Sequence, residues 1–319
     1  MSADLIIDAQ DLGKAFTVYR RAGRVRRRRE VVHAVADIDL RIERGAMVGY
    51  IGPNGAGKST TSKMLTGILV PSAGHVRVDG LEPSRQRNEL AARIGVVFGQ
   101  RSQLWWDLPL RDSFDLLRHV YRVPAARHAE NLARFADGLD LGPLLDVPVR
   151  QLSLGQRMRG ELTAALLHDP SILLLDEPTI GLDVISKEAV REFLLAVNRE
   201  QGTTVLLTTH DLTDVERLCD RLLIIDHGRV IEDGTVAGIT NRFGTERTLV
   251  VDLVETSPPL DVPGAITTKV EGPRQWLRFQ RDDITASELL TRVTALADVR
   301  DLSVEEPDIE QIVKAIYQR

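Results

Sequence analysis

The run Met47-Val48-Gly49-Tyr50-Ile51-Gly52-Pro53-Asn54-Gly55-Ala56-Gly57-Lys58-Ser59 decides the fold. Its apolar opening, bounded by glycine, predicts a short buried strand; the glycines after it predict a turn, and Ser59 to Leu69 a helix. Gly52 to Ser59 satisfies G-x-x-x-x-G-K-S and sits between strand and helix, where that motif works. Glycines let backbone N–H groups converge on phosphate oxygens, and the helix N-terminus adds positive partial charge. Lys58 is expected to neutralise phosphate charge and the Ser59 hydroxyl to bind Mg2+, with Pro53, Asn54, Gly55, Ala56, Gly57 and Thr60 completing the cradle.

A second stretch, Ile172-Leu173-Leu174-Leu175-Asp176-Glu177, delivers two acids at the end of an apolar strand, the end at which open α/β sheets bind ligands. Asp176 is expected to hold Mg2+ through water, leaving Glu177 to polarise an attacking water. The two stretches together predict a P-loop NTPase.

Working outward, further apolar runs at 94–98, 204–207 and 222–225 read as buried parallel strands with helical patterns between them. Ile38, Leu40 and Ile42 alternate with polar neighbours and predict a half-buried strand ending at Gly45, and a similar strand is expected over 5–9. Residues from about 107 to 167 are mostly helical and interrupt the alternation of strand and helix, which predicts a helical subdomain inserted in an α/β core. The expected division is a main domain over 1–243 and a small α/β accessory domain over 244–319. With aromatics at only 4%, burial must rest on aliphatic side chains, as suits parallel sheet under helices.

Charge and cysteine usage exclude other classes. Lys plus Arg is 41 against 46 Asp plus Glu, a net of −5, so bulk charge gives no reason to expect nucleic acid as a partner. Cys219 is the only cysteine, which rules out an intramolecular disulfide framework and fits a reducing compartment. Residues 1–11 do not read as a secretory signal, and no window approaches the roughly 18–20 apolar residues of a membrane helix.

Leu152-Ser153-Leu154-Gly155-Gln156, ahead of the acidic strand and opening a helix, resembles the Leu-Ser-Gly-Gly-Gln signature of ATP-binding cassette (ABC) ATPases, with Leu154 in place of the first glycine. Other landmarks of that family match in order. Gln100 resembles the glutamine that reports on Mg2+ and faces the membrane partner; Gly181-Leu182-Asp183 resembles the D-loop; His210 resembles the switch histidine at the γ-phosphate; and Phe16, with Tyr19 as a rival, resembles the aromatic that stacks on adenine.

The resemblance implies an α/β P-loop core of ABC type with an antiparallel β subdomain, ATP and Mg2+ as ligands, and hydrolysis with Glu177, His210 and Gln100 as catalytic residues. It also implies a head-to-tail dimer in which Ser153, Gly155, Gln156 and Asp183 complete the partner's site. A separate integral membrane permease is the implied second partner, with the chain held at the cytoplasmic face of the membrane. Within the family, 98–109 and 179–183 look more like exporters of drugs, sodium or polysaccharide than nutrient importers. Two features stand apart. Trp105 and Trp106 are adjacent, so one is expected to line a groove for a permease helix unless both pack inside the helical subdomain. The arginines from Arg20 to Arg29 read as a solvated loop, or alternatively as a contact for anionic lipid.

Overall fold

The computed structural model describes residues 4–22, 26–99 and 101–318, with backbone alone for 20–22 and 26–28. The chain forms two compact units, Met1–Gly234 and Thr235–Arg319.

The first unit opens with two long strands, β1 (Leu5–Ala22) and β2 (Arg26–Glu43), then β3 (Met47–Ile51), α1 (Lys58–Leu65), β4 (Ala73–Val78), α2 (Arg87–Ala91) and β5 (Ile94–Phe98). The helical segment follows, with α3 (Leu110–Tyr121), α4 (Ala125–Gly138) and α5 (Leu154–Leu166). Alternation then resumes through β6 (Ile172–Asp176), α6 (Val184–Gln201), β7 (Thr204–Thr208), α7 (Leu212–Leu218), β8 (Arg221–Asp226) and β9 (Arg229–Thr235).

The main sheet runs in the order β5-β6-β7-β3-β8-β9, with β5 through β8 parallel. Every residue of β3 and of β7 is buried, the signature of parallel strands covered on both faces. Because β6, β7 and β3 are neighbours, the loops leaving their carboxyl ends are brought together. A separate antiparallel sheet, β2-β1-β4, shares its core with the first, joining Leu12, Ile38 and Val78 to Tyr50 and Ile225 around Met64 and Leu65 of α1.

Three expectations change in detail. The helix after the phosphate loop ends at Leu65, short of Leu69, because Gly67 turns the chain at φ +71°. The strand expected over 5–9 runs on to Ala22, so the arginine run is a two-stranded ribbon and not a loop: Arg20 lies opposite Arg28 and Arg21 opposite Arg27 in register. Arg24 lies outside the described residues. Trp105 and Trp106 are 40% and 52% exposed, so neither is a core residue of the helical segment.

The second unit carries α8 (Val236–Phe243), β10 (Glu246–Leu253), β11 (Ala265–Glu271), β12 (Arg274–Gln280), α9 (Ala286–Thr294), β13 (Val299–Glu305) and α10 (Ile309–Tyr317). Its antiparallel sheet, β11-β12-β10-β13, buries Leu249, Val251, Leu277 and Phe279 against Leu289 and Val293 of α9. The division falls at Thr235 and not at 244, because α8 packs on α10 within this unit.

Candidate functional site

The phosphate-type loop leaves β3 at Gly52. Gly57 is the N-cap of α1 at φ +112°, a region L side chains avoid, and a Cβ there would stand 2.5 Å from the Ala34 carbonyl oxygen. No side chain caps α1, so its first N–H groups face the loop unclaimed by a capping side chain. Lys58 Nζ donates to the carbonyls of Gly52 at 2.5 Å and Pro53 at 3.2 Å, folding across its own loop. Burial lowers the Lys58 pKa, while the charges of Glu177 and Asp176 pull it back up, so the ammonium is electrostatically coupled to the acidic strand end. Ala56 is buried and anchors the loop by accepting from the Gly228 N–H, while Pro53, Asn54, Gly55 and Ser59 are exposed.

Asp176 ends β6. Its Oδ1 accepts from Thr208 Oγ1 of the adjacent β7 at 2.6 Å, which fixes the carboxylate across the strand pair. Glu177 follows at φ +56°, a conformation costing a non-glycine residue about 1–2 kcal/mol. Its N–H donates to the Thr208 carbonyl at 2.8 Å, and its side chain turns to His210, whose Nδ1 lies 2.6 Å from Oε2. A carboxylate only accepts, so the Nδ1–H donates and Nε2 is left to face outward on a ring that is 67% exposed.

Ser153 is the N-cap of α5 in a full capping box: its Oγ accepts from the Gln156 N–H, and the Gln156 side chain accepts from the Ser153 N–H. Leu154 leans over the glycine of the next loop, its Cδ2 standing 2.5 Å from where a Cβ on Gly181 would lie, and Gly181 itself is at φ +70°. Gly155 rests on Leu182 and Ser186. Asp183 caps α6, accepting from the Ser186 N–H at 2.9 Å and its hydroxyl at 2.7 Å. These hydrogen bonds from the Ser186 backbone and hydroxyl hold the Asp183 carboxyl below its ordinary range.

The arrangement therefore gathers a glycine loop with a lysine, two acids and a histidine at three adjacent strand ends. A profile of the ABC transporter family matches residues 35–180. The daunorubicin/doxorubicin resistance ATP-binding protein DrrA of Streptomyces peucetius is 32% identical over 299 residues, 89% of this chain and 87% of its own length. The chain belongs to the ABC transporter family. The methionine import ATP-binding protein MetN of Latilactobacillus sakei is 32% identical over 82% of this chain and 79% of its own. Among solved structures, an ATP-binding subunit of an ABC transporter superposes with a TM-score of 0.64 at 26% identity, covering 75% of this chain and 93% of that one.

As an ABC protein, the chain is an ATP-binding subunit of a transporter, and its family binds and hydrolyses ATP. The residues present fit ATP with Mg2+. The loop offers uncapped helix N–H groups and a lysine to phosphate, and Ser59 and Asp176 are the hard oxygen donors Mg2+ prefers. Among the described residues no group of three or more His, Cys, Asp or Glu forms a metal cluster.

Lys58, Asp176, Glu177 and His210 are brought together. Ser153, Gly155, Gln156 and Asp183 form a second group, and among the described residues no hydrogen bond joins them to the loop at 52–59. Gln100 lies outside the described residues. Phe16 and Tyr19, on β1, are 37% and 64% exposed, so neither serves as core.

Sequence reading missed the supports beneath this site. Thr208 is one. A second is Asp214, fully buried, which accepts from Thr179 Oγ1 and from Arg191 Nε at 2.7 Å, tying α7, α6 and the segment after Glu177 into one knot. A third is Lys187, which donates to Asp211 at 2.5 Å beside His210. Each joins segments distant in sequence, and only the order of the strands reveals that they meet.

Proposed function

We propose that this chain hydrolyses ATP to power export of a small molecule or polymer through a separate integral membrane permease, with two copies enclosing each nucleotide head to tail. The observation that carries the reading is the cluster at the ends of β3, β6 and β7, with Glu177 held 2.6 Å from His210 and Lys58 coupled to both acids.

In this reading the N–H groups of 52–59 and Lys58 hold the phosphates, Lys58 exchanging the Gly52 and Pro53 carbonyls for phosphate oxygens. Phe16, or Tyr19 beside it, supports the adenine. Mg2+, when bound, supplies positive charge against the phosphate oxygens; Ser59, Gln100 and Asp176 are the residues to hold it, with Thr208 orienting Asp176. Glu177 aligns a water and takes its proton, and the strained backbone at that residue aims the carboxylate at His210. His210 fixes that carboxylate through Nδ1 and offers Nε2 to the γ-phosphate.

The segment 153–156 and Asp183 of a second copy close the site. An apolar patch supports such a contact: Val184 and Ile185 are 82% and 83% exposed beside Ile180 at 43% and Leu154 at 40%. Among the described residues no helix is long and apolar enough to cross a membrane. In this reading the permease supplies the transport path and the chain works at its cytoplasmic face. Trp106 lines the groove that receives a permease helix. The arginine ribbon, Arg20 to Arg29, contacts anionic lipid there, gaining about 1 kcal/mol per basic residue; liposome binding unchanged by Arg-to-Ser replacement would refute that contact.

The drug-resistance relative supports export, and the methionine-import relative keeps import as the second reading. The test is to purify tagged Glu177→Gln protein with Mg-ATP from detergent-solubilised membranes. Co-elution of a protein with several membrane spans supports the transporter assignment, and a partner that recruits a substrate-binding protein moves the reading to import. Recovery from the cytosol alone, with ribosomes or nucleic acid, sinks both.

A further inference from the structure

Glu161 is buried in the middle of α5, and its carboxylate turns to the segment that follows β5: Oε1 accepts from the Ser102 hydroxyl and Oε2 from the Gln103 N–H at 3.1 Å. The Gln103 side chain answers through Nε2, donating to the Glu161 carbonyl at 3.3 Å and to the Val96 carbonyl of β5 at 3.4 Å. Ser102 Oγ also accepts from the Leu104 N–H at 3.1 Å, and buried Leu104 packs on Gly160, where an added Cβ would stand 3.2 Å from its Cδ1. Residues 102–104 are therefore tied to α5 by side chain and backbone alike. The near end of the same segment reaches the acidic pair. Phe98 lies opposite Asp176 in the β5–β6 ladder, and the Arg101 N–H turns back to the Phe98 carbonyl at 3.0 Å. Gly99 runs so close to β6 that a Cβ there would stand 2.9 Å from the Asp176 carbonyl oxygen and 3.4 Å from the Glu177 Cβ. A displacement of Ser102 and Gln103 is thus passed, through a short and tightly turned stretch of backbone, to the chain lying against Glu177.

We propose that Glu161 is a positioning residue for ATP hydrolysis: by holding Ser102 and Gln103 to α5 it fixes the stretch from Phe98 to Leu104 against Asp176 and Glu177. The inference rests on the hydrolysis proposed above, with Glu177 as the group that aligns water. A role in packing alone fits the residue poorly. Burial raises the Glu161 carboxyl, and the donors from Ser102 and Gln103 with the charge of Arg157 bring it only part of the way back, so an apolar side chain would pack α5 at lower cost. What a carboxylate adds is a pair of acceptors that fix both the distance and the direction of the segment it holds.

The test is steady-state hydrolysis of Mg-ATP by the full chain, read as kcat and KM separately, with a melting midpoint for every variant. Glu161→Leu, apolar and of similar volume, unties the segment while keeping α5 packed. Its kcat should fall about ten- to hundredfold, the cost of a misplacement of about 1 Å, with KM for ATP unchanged because the Lys58 loop is untouched. Glu161→Gln should recover most of kcat, since its carbonyl can accept from the Gln103 N–H while its amide donates to Ser102 Oγ, that hydroxyl turning to the Leu104 carbonyl at 3.3 Å. Ser102→Ala removes one tie without altering α5 and should lower kcat severalfold, which decides the matter should Glu161→Leu fail to fold. Wild-type kcat in both Glu161→Leu and Ser102→Ala overturns the inference and leaves the hydrolytic reading standing. An equal loss in Glu161→Gln and Glu161→Leu, or a loss of kcat that follows the melting midpoint across the variants, also overturns it. A wild-type chain that does not hydrolyse Mg-ATP removes the hydrolytic reading and the inference with it.

Discussion

Replacing Asp214 tests whether the knot beneath the site is what holds it. Asp214 is fully buried, Arg191 opposite it has a side chain only 8% exposed, and their closest contact is 2.5 Å. Asp214→Ala strands the guanidinium with Glu188 as its remaining partner, at 3.1 Å, and leaves the Thr179 hydroxyl without an acceptor. Removing one member of a buried pair costs about 3–5 kcal/mol. For a unit of this size each kcal/mol lowers the melting midpoint by about 2–4 °C, so a fall of about 6–20 °C is expected. Asp214→Asn keeps part of the hydrogen bonding and should fall by less. A double replacement, Asp214→Leu with Arg191→Met, should recover most of the loss, because an apolar pair of similar volume avoids desolvating charge. Scanning calorimetry of the full chain reads these values, with exposed Glu216→Ala as a control expected to shift little. A midpoint for Asp214→Ala within about 1 °C of wild type would refute the reasoning.

Three further outcomes follow from particular contacts. Gly181→Ala must hold φ near +70° and push Leu154 aside, so it should lose about 1–3 kcal/mol; adding Leu154→Ala removes the collision alone and should restore only part, and full stability of the single variant would contradict this. Burial pushes the Cys219 thiol up to about 12, so a thiol reagent should label it only on unfolding, and complete labelling of the native chain within seconds would show the pocket is open. Burial also raises the Glu161 carboxyl above its ordinary 4.5, so the folded chain holds that proton more tightly than the unfolded one. Its stabilising contribution is full below about pH 4.5 and lost as pH rises through the folded value, so wild type should lose stability relative to Glu161→Gln over that range; parallel melting curves would contradict the shift.

Much of the candidate site was legible because each key residue closes a short apolar run, as Asp176 does, or follows one after a short loop, as Lys58 and His210 do. Lys58, Asp176 and His210 sit at or just beyond the ends of β3, β6 and β7, and a parallel sheet delivers such positions to one edge whatever lies between. What the sequence hid is of two kinds. Thr208, Asp214 and Lys187 act through partners far along the chain, and nothing local distinguishes a supporting Asp214 from the solvated acids around it. Leu154 departs from the family signature in sequence, and only its position over Gly181 shows that it fills a niche a side chain there would occupy. The ribbon of β1 and β2 was hidden by its charge, since like charges in opposed positions argue against pairing.

The most direct test of the central claim is gel filtration with light scattering on Glu177→Gln, with and without Mg-ATP, alongside its turnover. Loss of the Glu177 carboxylate removes the group that aligns water but leaves the Lys58 loop intact, so the account predicts ATP-dependent dimers of this variant and nearly abolished hydrolysis. A variant that stays monomeric with Mg-ATP, or that hydrolyses ATP at the wild-type rate, would contradict it.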